Sequence, residues 1–137
     1  MKSLALTISL FIGFLSYGQL DVNTSTSKVI YENLVNQKIK IKVRDTDTAY
    51  MFIYNNQKYK TIVDIKIGYF TPEEIVQFFD LCLYVSETKE NVDTSKYSIR
   101  HFTGTSVMVF IDGGYTTVQK NNIVKMKTAV LNSRTIN

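Results

Sequence analysis

The stretch Asn36 to Asp45, NQKIKIKVRD, alternates strictly: Ile39, Ile41 and Val43 are apolar, and Lys38, Lys40, Lys42 and Arg44 are cationic. A period of two is the pattern of a half-buried β-strand. Two further runs rich in β-branched and aromatic residues follow, AYMFIY (49–54) and YKTIVDIKI (59–67), separated by the turn-forming stretches DTDT and NNQK. Together they predict a three-strand antiparallel meander. YSIRHF and VMVFI, joined by TGTS, predict a second hairpin that ends at Asp112-Gly113-Gly114.

Two segments have helical periodicity. In TPEEIVQFFDLCLYV, Thr71 is placed to cap, Pro72 suits the first helical position and Glu74 completes a capping box. Ile75, Phe78, Phe79, Cys82 and Val85 then fall on one face. In TTVQKNNIVKMKTAVLNS, Ile123, Met126 and Val130 share a face, with Thr116 or Thr117 as the expected cap. The fold class that results is α+β: a mostly antiparallel five-stranded sheet, meander plus hairpin, with two helices packed on one face. A faint repeat runs through it, strand, Gly68-Tyr69, Thr71, helix, then strand, Gly114-Tyr115, Thr117, helix. It is read as recurring strand-to-helix punctuation rather than a duplication.

The N-terminus has another character. Lys2 precedes an uncharged apolar run from Leu4 to Leu15, followed by Ser16-Tyr17-Gly18. This is the pattern of a secretory signal peptide, residues 1–18, with cleavage after Gly18. The run is shorter than the ~20 residues a membrane-spanning helix needs. The expectation is an exported protein, periplasmic or secreted, without a membrane span after cleavage. Residues 19–36 are expected to form a flexible arm and a short helix, because Ile30 and Leu34 stand four apart. Residues 37–133 form the single domain, and 134–137 a frayed tail.

Composition narrows the chemistry. One cysteine, Cys82, cannot make an internal disulfide, and its apolar neighbours make it a small core residue. A net charge of +4 is too weak to argue for nucleic acid. His101 is the only histidine and lies in a predicted strand, where a hydrogen-bonded structural role is expected. Asp45 and Asp47 lack the spacing of a Ca²⁺ loop. FIDGGY lacks the other positions of a phosphate loop. No cofactor is implied.

The cations supply the remaining signal. With tight turns at Thr46-Asp47 and Asn56-Gln57, Val43 faces Tyr50 and Tyr54 faces Tyr59. One sheet face then carries Lys38, Lys40, Lys42, Arg44, Lys60 and Lys66 around Met51, Ile53 and Ile62. An apolar centre with a charged rim has the composition of an interface. The bland explanation is a solvated face on an edge strand, whose lysines deter pairing with other chains. The functional expectation is a small exported non-enzymatic binding module for an acidic protein or an anionic envelope polysaccharide. The enzymatic alternative is a cofactor-free hydrolase-like site assembled from His101, Tyr97 and Asp112, in which Tyr97 and Asp112 oppose each other across the second hairpin.

Overall fold

The computed structural model describes residues 25–44 and 48–135; the side chains of residues 25, 26, 41–44 and 135 lie outside that description. The expected signal peptide, most of the arm and the first turn also lie outside it. The chain runs β1 (Ser25–Glu32), β2 (Gln37–Arg44), β3 (Thr48–Asn55), β4 (Ile65–Phe70), α1 (Pro72–Thr88), β5 (Val92–Asp93), β6 (Tyr97–His101), β7 (Val107–Ile111), β8 (Gly114–Val118) and α2 (Lys120–Thr135). The α+β class and the two helices are as expected. The five-stranded sheet is not: there are two four-stranded antiparallel sheets, ordered β1-β2-β3-β4 and β5-β6-β7-β8.

Three strands escaped the pattern. The short helix expected near Ile30 is β1. Asn33 Oδ1 accepts from the amides of Val35 and Gln37, Asn36 takes a φ of 60°, and the chain turns back. Leu34, half of the apparent helical spacing, sits on that turn fully exposed. β8 occupies the stretch read as the approach to α2. Asp112 (φ 59°) and Gly113 (φ 81°) both adopt the left-handed conformation of a two-residue hairpin turn and pair Ile111 with Gly114. Thr116 and Thr117 are therefore strand residues and cap nothing; α2 begins on the Gln119 carbonyl, which accepts from Ile123 N. β5 is a two-residue strand beside β6.

The helix α1 is as the sequence dictates. Thr71 Oγ1 accepts from Glu74 N at 3.2 Å, and Glu74 Oε1 accepts from Thr71 N at 2.9 Å. Its buried face contains Ile75, Phe78, Phe79, Cys82 and Val85, and α2 buries Ile123, Met126 and Val130. Burial pushes the Cys82 thiol pKa far up, which suits an inert core residue. α1 packs on α2 and touches strands of both sheets: β3 and β4 in one, β6 and β7 in the other. Phe52 of β3 lies 5.4 Å from Phe78, which lies 5.0 Å from Tyr97 of β6. One core thus serves both sheets.

Where the sheets meet, their edge backbone groups are taken up mostly by side chains rather than by a further strand. On the β4 edge, Asp112 Oδ2 accepts from Ile67 N at 3.1 Å and Lys96 Nζ donates to Tyr69 O at 2.6 Å. On the β8 edge, Asn56 Oδ1 accepts from Tyr115 N at 3.1 Å and Gln57 N donates to Tyr115 O at 2.9 Å. Gln37, fully buried, donates to Thr116 Oγ1 and Thr117 O. Tyr54, also fully buried, donates its hydroxyl to Ile111 O, and burial pushes its pKa up to about 12. The two caps mirror each other: the residue after β3, Asn56, serves β8, and the residue after β7, Asp112, serves β4. Each half of the chain is four antiparallel strands followed by a helix. The repeat is therefore architectural, although the particular match read from sequence does not superpose, since Gly68 lies inside β4 and Gly114 opens β8.

The registers correct several placements. β2 and β3 pair Ile39 with Phe52 and Val43 with Thr48, two positions from the expected register, which leaves the faces unchanged. β4 starts at Ile65 after residues 56–64 rather than after a tight turn, and Phe52 pairs with Gly68. That odd shift turns the third strand over, so Ile65 lies on the outer side, 51% exposed. Similarly, the β6–β7 loop pairs His101 with Val107, and so Tyr97 with Ile111 rather than with Asp112. Val109 is buried, whereas Phe110 is 36% exposed and packs its ring 5.5 Å from Tyr115.

Candidate partner-binding face

Cross-strand partners in an antiparallel sheet share a face, so the register defines the outer surface of the N-terminal sheet. One row runs Val29, Lys40, Met51, Tyr69; the next runs Glu32, Lys38, Ile53, Ile67. The opposite face carries Tyr31, Ile39, Phe52 and Gly68 toward the core. Gly68 has no room for a side chain, because a Cβ there would run into Ile111.

Of the nine residues expected on this face, Lys38, Lys40, Met51 and Ile53 are brought together. Lys42 pairs with Ala49 in the backbone ladder, and Arg44 with Ser25 of β1; their side chains lie outside the description. The other three are displaced by the turned-over third strand. Lys60 and Ile62 lie in the segment 56–64, with Ile62 57% exposed. Lys66 pairs with Tyr54 on the inner side and sits 3.7 Å from Asp64. Val29, Ile67 and Tyr69 take their places. Val29 is masked in the sequence by the helix-like spacing of Ile30 and Leu34, and Ile67 and Tyr69 by the turn chemistry of Asn56-Gln57, which predicts a connection shorter than residues 56–64.

The topology also alters what the lysines can be for. β2 lies between β1 and β3, so Lys38 and Lys40 stand on an interior strand. Edge protection cannot account for them. Met51 is buried on this outer face, while Tyr69 beside it is 56% exposed. The face continues onto one end of the sheet, where the β1–β2 turn and the β3–β4 segment project the exposed Leu34, Val35, Ile62 and Val63. At the other end, Thr48, Ala49, Tyr69, Phe70 and Pro72 line an open cleft of about 570 Å³.

Charge is unevenly divided. Residues 25–70 hold eight Lys and Arg against four Asp and Glu, whereas residues 71–137 hold seven of each. Within residues 71–137 four of the seven cations are paired: Lys96 with Glu74, Arg100 with Asp93, Lys120 with Glu87 and Lys127 with Asp80. Hydrogen bonds from Ser98 and Arg100 hold the Asp93 carboxyl below its ordinary pKa, and those from the Thr71 amide and Lys96 do the same for Glu74. In the N-terminal half, Lys38 lies 3.5 Å from Glu32, and among the described residues Lys40 has no carboxylate within ion-pair distance.

The hydrolase-like constellation does not assemble. Tyr97 is in the core, opposite Ile111 rather than Asp112, and burial raises its pKa. His101 lies four residues along the same strand, ~13 Å away at strand rise. Its Nε2 is 2.9 Å from Gly104 O, a local structural contact. Asp112 is committed to the Ile67 amide. Tyr97 does line a cleft of about 210 Å³ with Phe70, Glu74, Gln77 and Thr94 to Lys96, but neither His101 nor Asp112 reaches it. The ammonium of Lys96 there is already bonded to Tyr69 O and Glu74. Among the described residues no group of three or more His, Cys, Asp or Glu could hold a metal ion, and no helix is long and apolar enough to cross a membrane. No protein-family model, curated protein or solved structure matches the chain.

Proposed function

We propose that this protein is a small exported binding module that uses the outer face of its N-terminal sheet to hold an acidic protein or anionic envelope polymer. One observation carries the reading. Lysines on an interior strand, not needed to guard an edge, stand beside an apolar surface of Ile53, Ile67, Tyr69 and Val29. A solvated face with no partner would be expected to place polar residues on β3 and β4 as well. The surplus of cations in the same half favours an anionic ligand.

The experiment is retention on an immobilised polyanion across a salt series, comparing the protein with a Lys38→Gln/Lys40→Gln/Lys42→Gln variant. Retention of the unmodified protein should fall as salt rises past about 0.1 M, where the screening length is ~10 Å. The variant should stay folded and elute early at every salt concentration. Identical elution of the two proteins would remove the lysines from the binding surface.

A further inference from the structure

We infer that the occupant of this face is a polypeptide segment carrying carboxylates beside apolar side chains, rather than a polyanionic sugar chain or a second copy of this protein. The inference rests on the proposed binding role and deepens it by naming the partner's chemistry. The described cations of the face, Lys38 and Lys40, come from β2 and most of its apolar groups from β3 and β4, in the rows Val29–Lys40–Met51–Tyr69 and Glu32–Lys38–Ile53–Ile67, where Glu32 lies 3.5 Å from Lys38. Adjacent strands are about 4.8 Å apart, and alternate residues along one strand about 7 Å apart. A complementary partner therefore places a carboxylate against Lys40, which has no ion pair among the described residues, and sets apolar groups next to it, roughly one strand spacing away. A polypeptide has side chains at such spacings.

An anionic polysaccharide could neutralise Lys38 and Lys40, but would press hydroxyls against Ile53 and Ile67. Tyr69 is the only aromatic ring in the two rows on which a sugar could stack. A second copy docked through the same patch would bring two sets of these lysines into one interface against only two Glu32 carboxylates, because a two-fold contact uses the same surface twice. Like charges brought together in this way oppose association. The charge surplus of the N-terminal half points to a partner of opposite sign instead.

The test follows the methyl resonances of Met51, Ile53 and Ile67 in the folded protein during titration with three probes. They are a short peptide alternating Glu with Leu or Val, a polyglutamate of equal net charge, and a sulfated dextran. The peptide should bind at least tenfold more tightly than polyglutamate and shift all three methyls. Lys40→Glu and Ile53→Ser should each weaken it at least tenfold with the amide spectrum still dispersed, and Lys125→Glu should leave it unchanged. Equal affinity for peptide and polyglutamate would overturn the inference. Tighter binding of the dextran, lost in Lys40→Glu but not in Ile53→Ser, would also overturn it and leave the proposed function standing. Binding of no probe, or concentration-dependent dimerisation abolished by Ile53→Ser, would overturn both.

Discussion

The two halves of the chain repeat one plan, four antiparallel strands and then a helix, and they differ in what their outer surfaces leave unmatched. Residues 71–137, which include α1, pair four of their seven cations among themselves, with Lys127 2.5 Å from Asp80 and Arg100 2.8 Å from Asp93. Residues 25–70, the N-terminal sheet and its loops without α1, carry the cation surplus and eight of the thirteen large hydrophobics exposed among the described residues. Inside, the halves are not separable, because Phe52, Phe70, Phe78 and Tyr97 form one aromatic cluster spanning both sheets. The comparison distinguishes two roles. Shared burial explains why the domain folds, and the unmatched outer face of one half is what folding alone does not explain.

The largest effect should come from that shared core. Phe52→Ala in the N-terminal sheet should cost about 3–5 kcal/mol, and Ile99→Ala in the C-terminal sheet about 2–5 kcal/mol. Both should move the same single denaturation transition, seen identically by aromatic and backbone signals. Two transitions, each sensitive to one substitution, would make the halves independent and break the comparison.

The junction between the halves comes next. Gln37→Ala strips partners from Asn33, Thr116 and Thr117, and should cost about 1–3 kcal/mol through buried groups left unsatisfied. Gly114→Ala should cost a similar ~1–3 kcal/mol, because its Cβ would meet the Asn56 side chain at 2.7 Å. A denaturant midpoint unchanged by either would mean the caps do not join the sheets.

Alkaline pH tests the same junction more gently. Burial raises the Tyr54 phenol from its ordinary value near 10 to about 12, so the folded chain keeps a proton that the unfolded chain releases. The stability tied to this group is whole below pH ~10 and is lost as pH rises toward about 12. Tyr54→Phe should flatten part of that loss in a stability–pH profile, the remainder belonging to groups such as Tyr97. The smallest effects should be on the surface. Asp80→Asn should cost at most about 1 kcal/mol through the loss of an exposed ion pair. Lys40→Gln should change stability by no more than ~0.5 kcal/mol.

The elements legible in the sequence were those whose signals are local. Thr71-Pro72-Glu73-Glu74 announces α1 by capping chemistry alone, and its apolar period named every hydrophobic residue that the helix buries. Registers depend on loop lengths, which local composition leaves open. Asn56 and Gln57 look like turn residues, yet they brace β8 from across the molecule. The resulting shift exchanged Lys66 for Ile67 and Tyr69 on the outer face. The Asp112-Gly113 pair is a hairpin signal for β8, and the β-branched Thr116-Thr117-Val118 that follows suits a strand. Lys38, Lys40, Met51 and Ile53 survived as a group because the error in the first turn was an even one.

The central claim is that the cations of the N-terminal face act by position and not merely by number. Two variants of equal net charge test it: Lys38→Gln/Lys40→Gln on the face, and Lys89→Gln/Lys125→Gln in the C-terminal half. Each is titrated into labelled polyglutamate at fixed salt, with binding followed by fluorescence anisotropy. The account predicts that the first variant binds at least several-fold more weakly than the second, and that the second stays close to the unmodified protein. Equal weakening of the two would contradict it, and would reduce the basic face to a share of the overall charge.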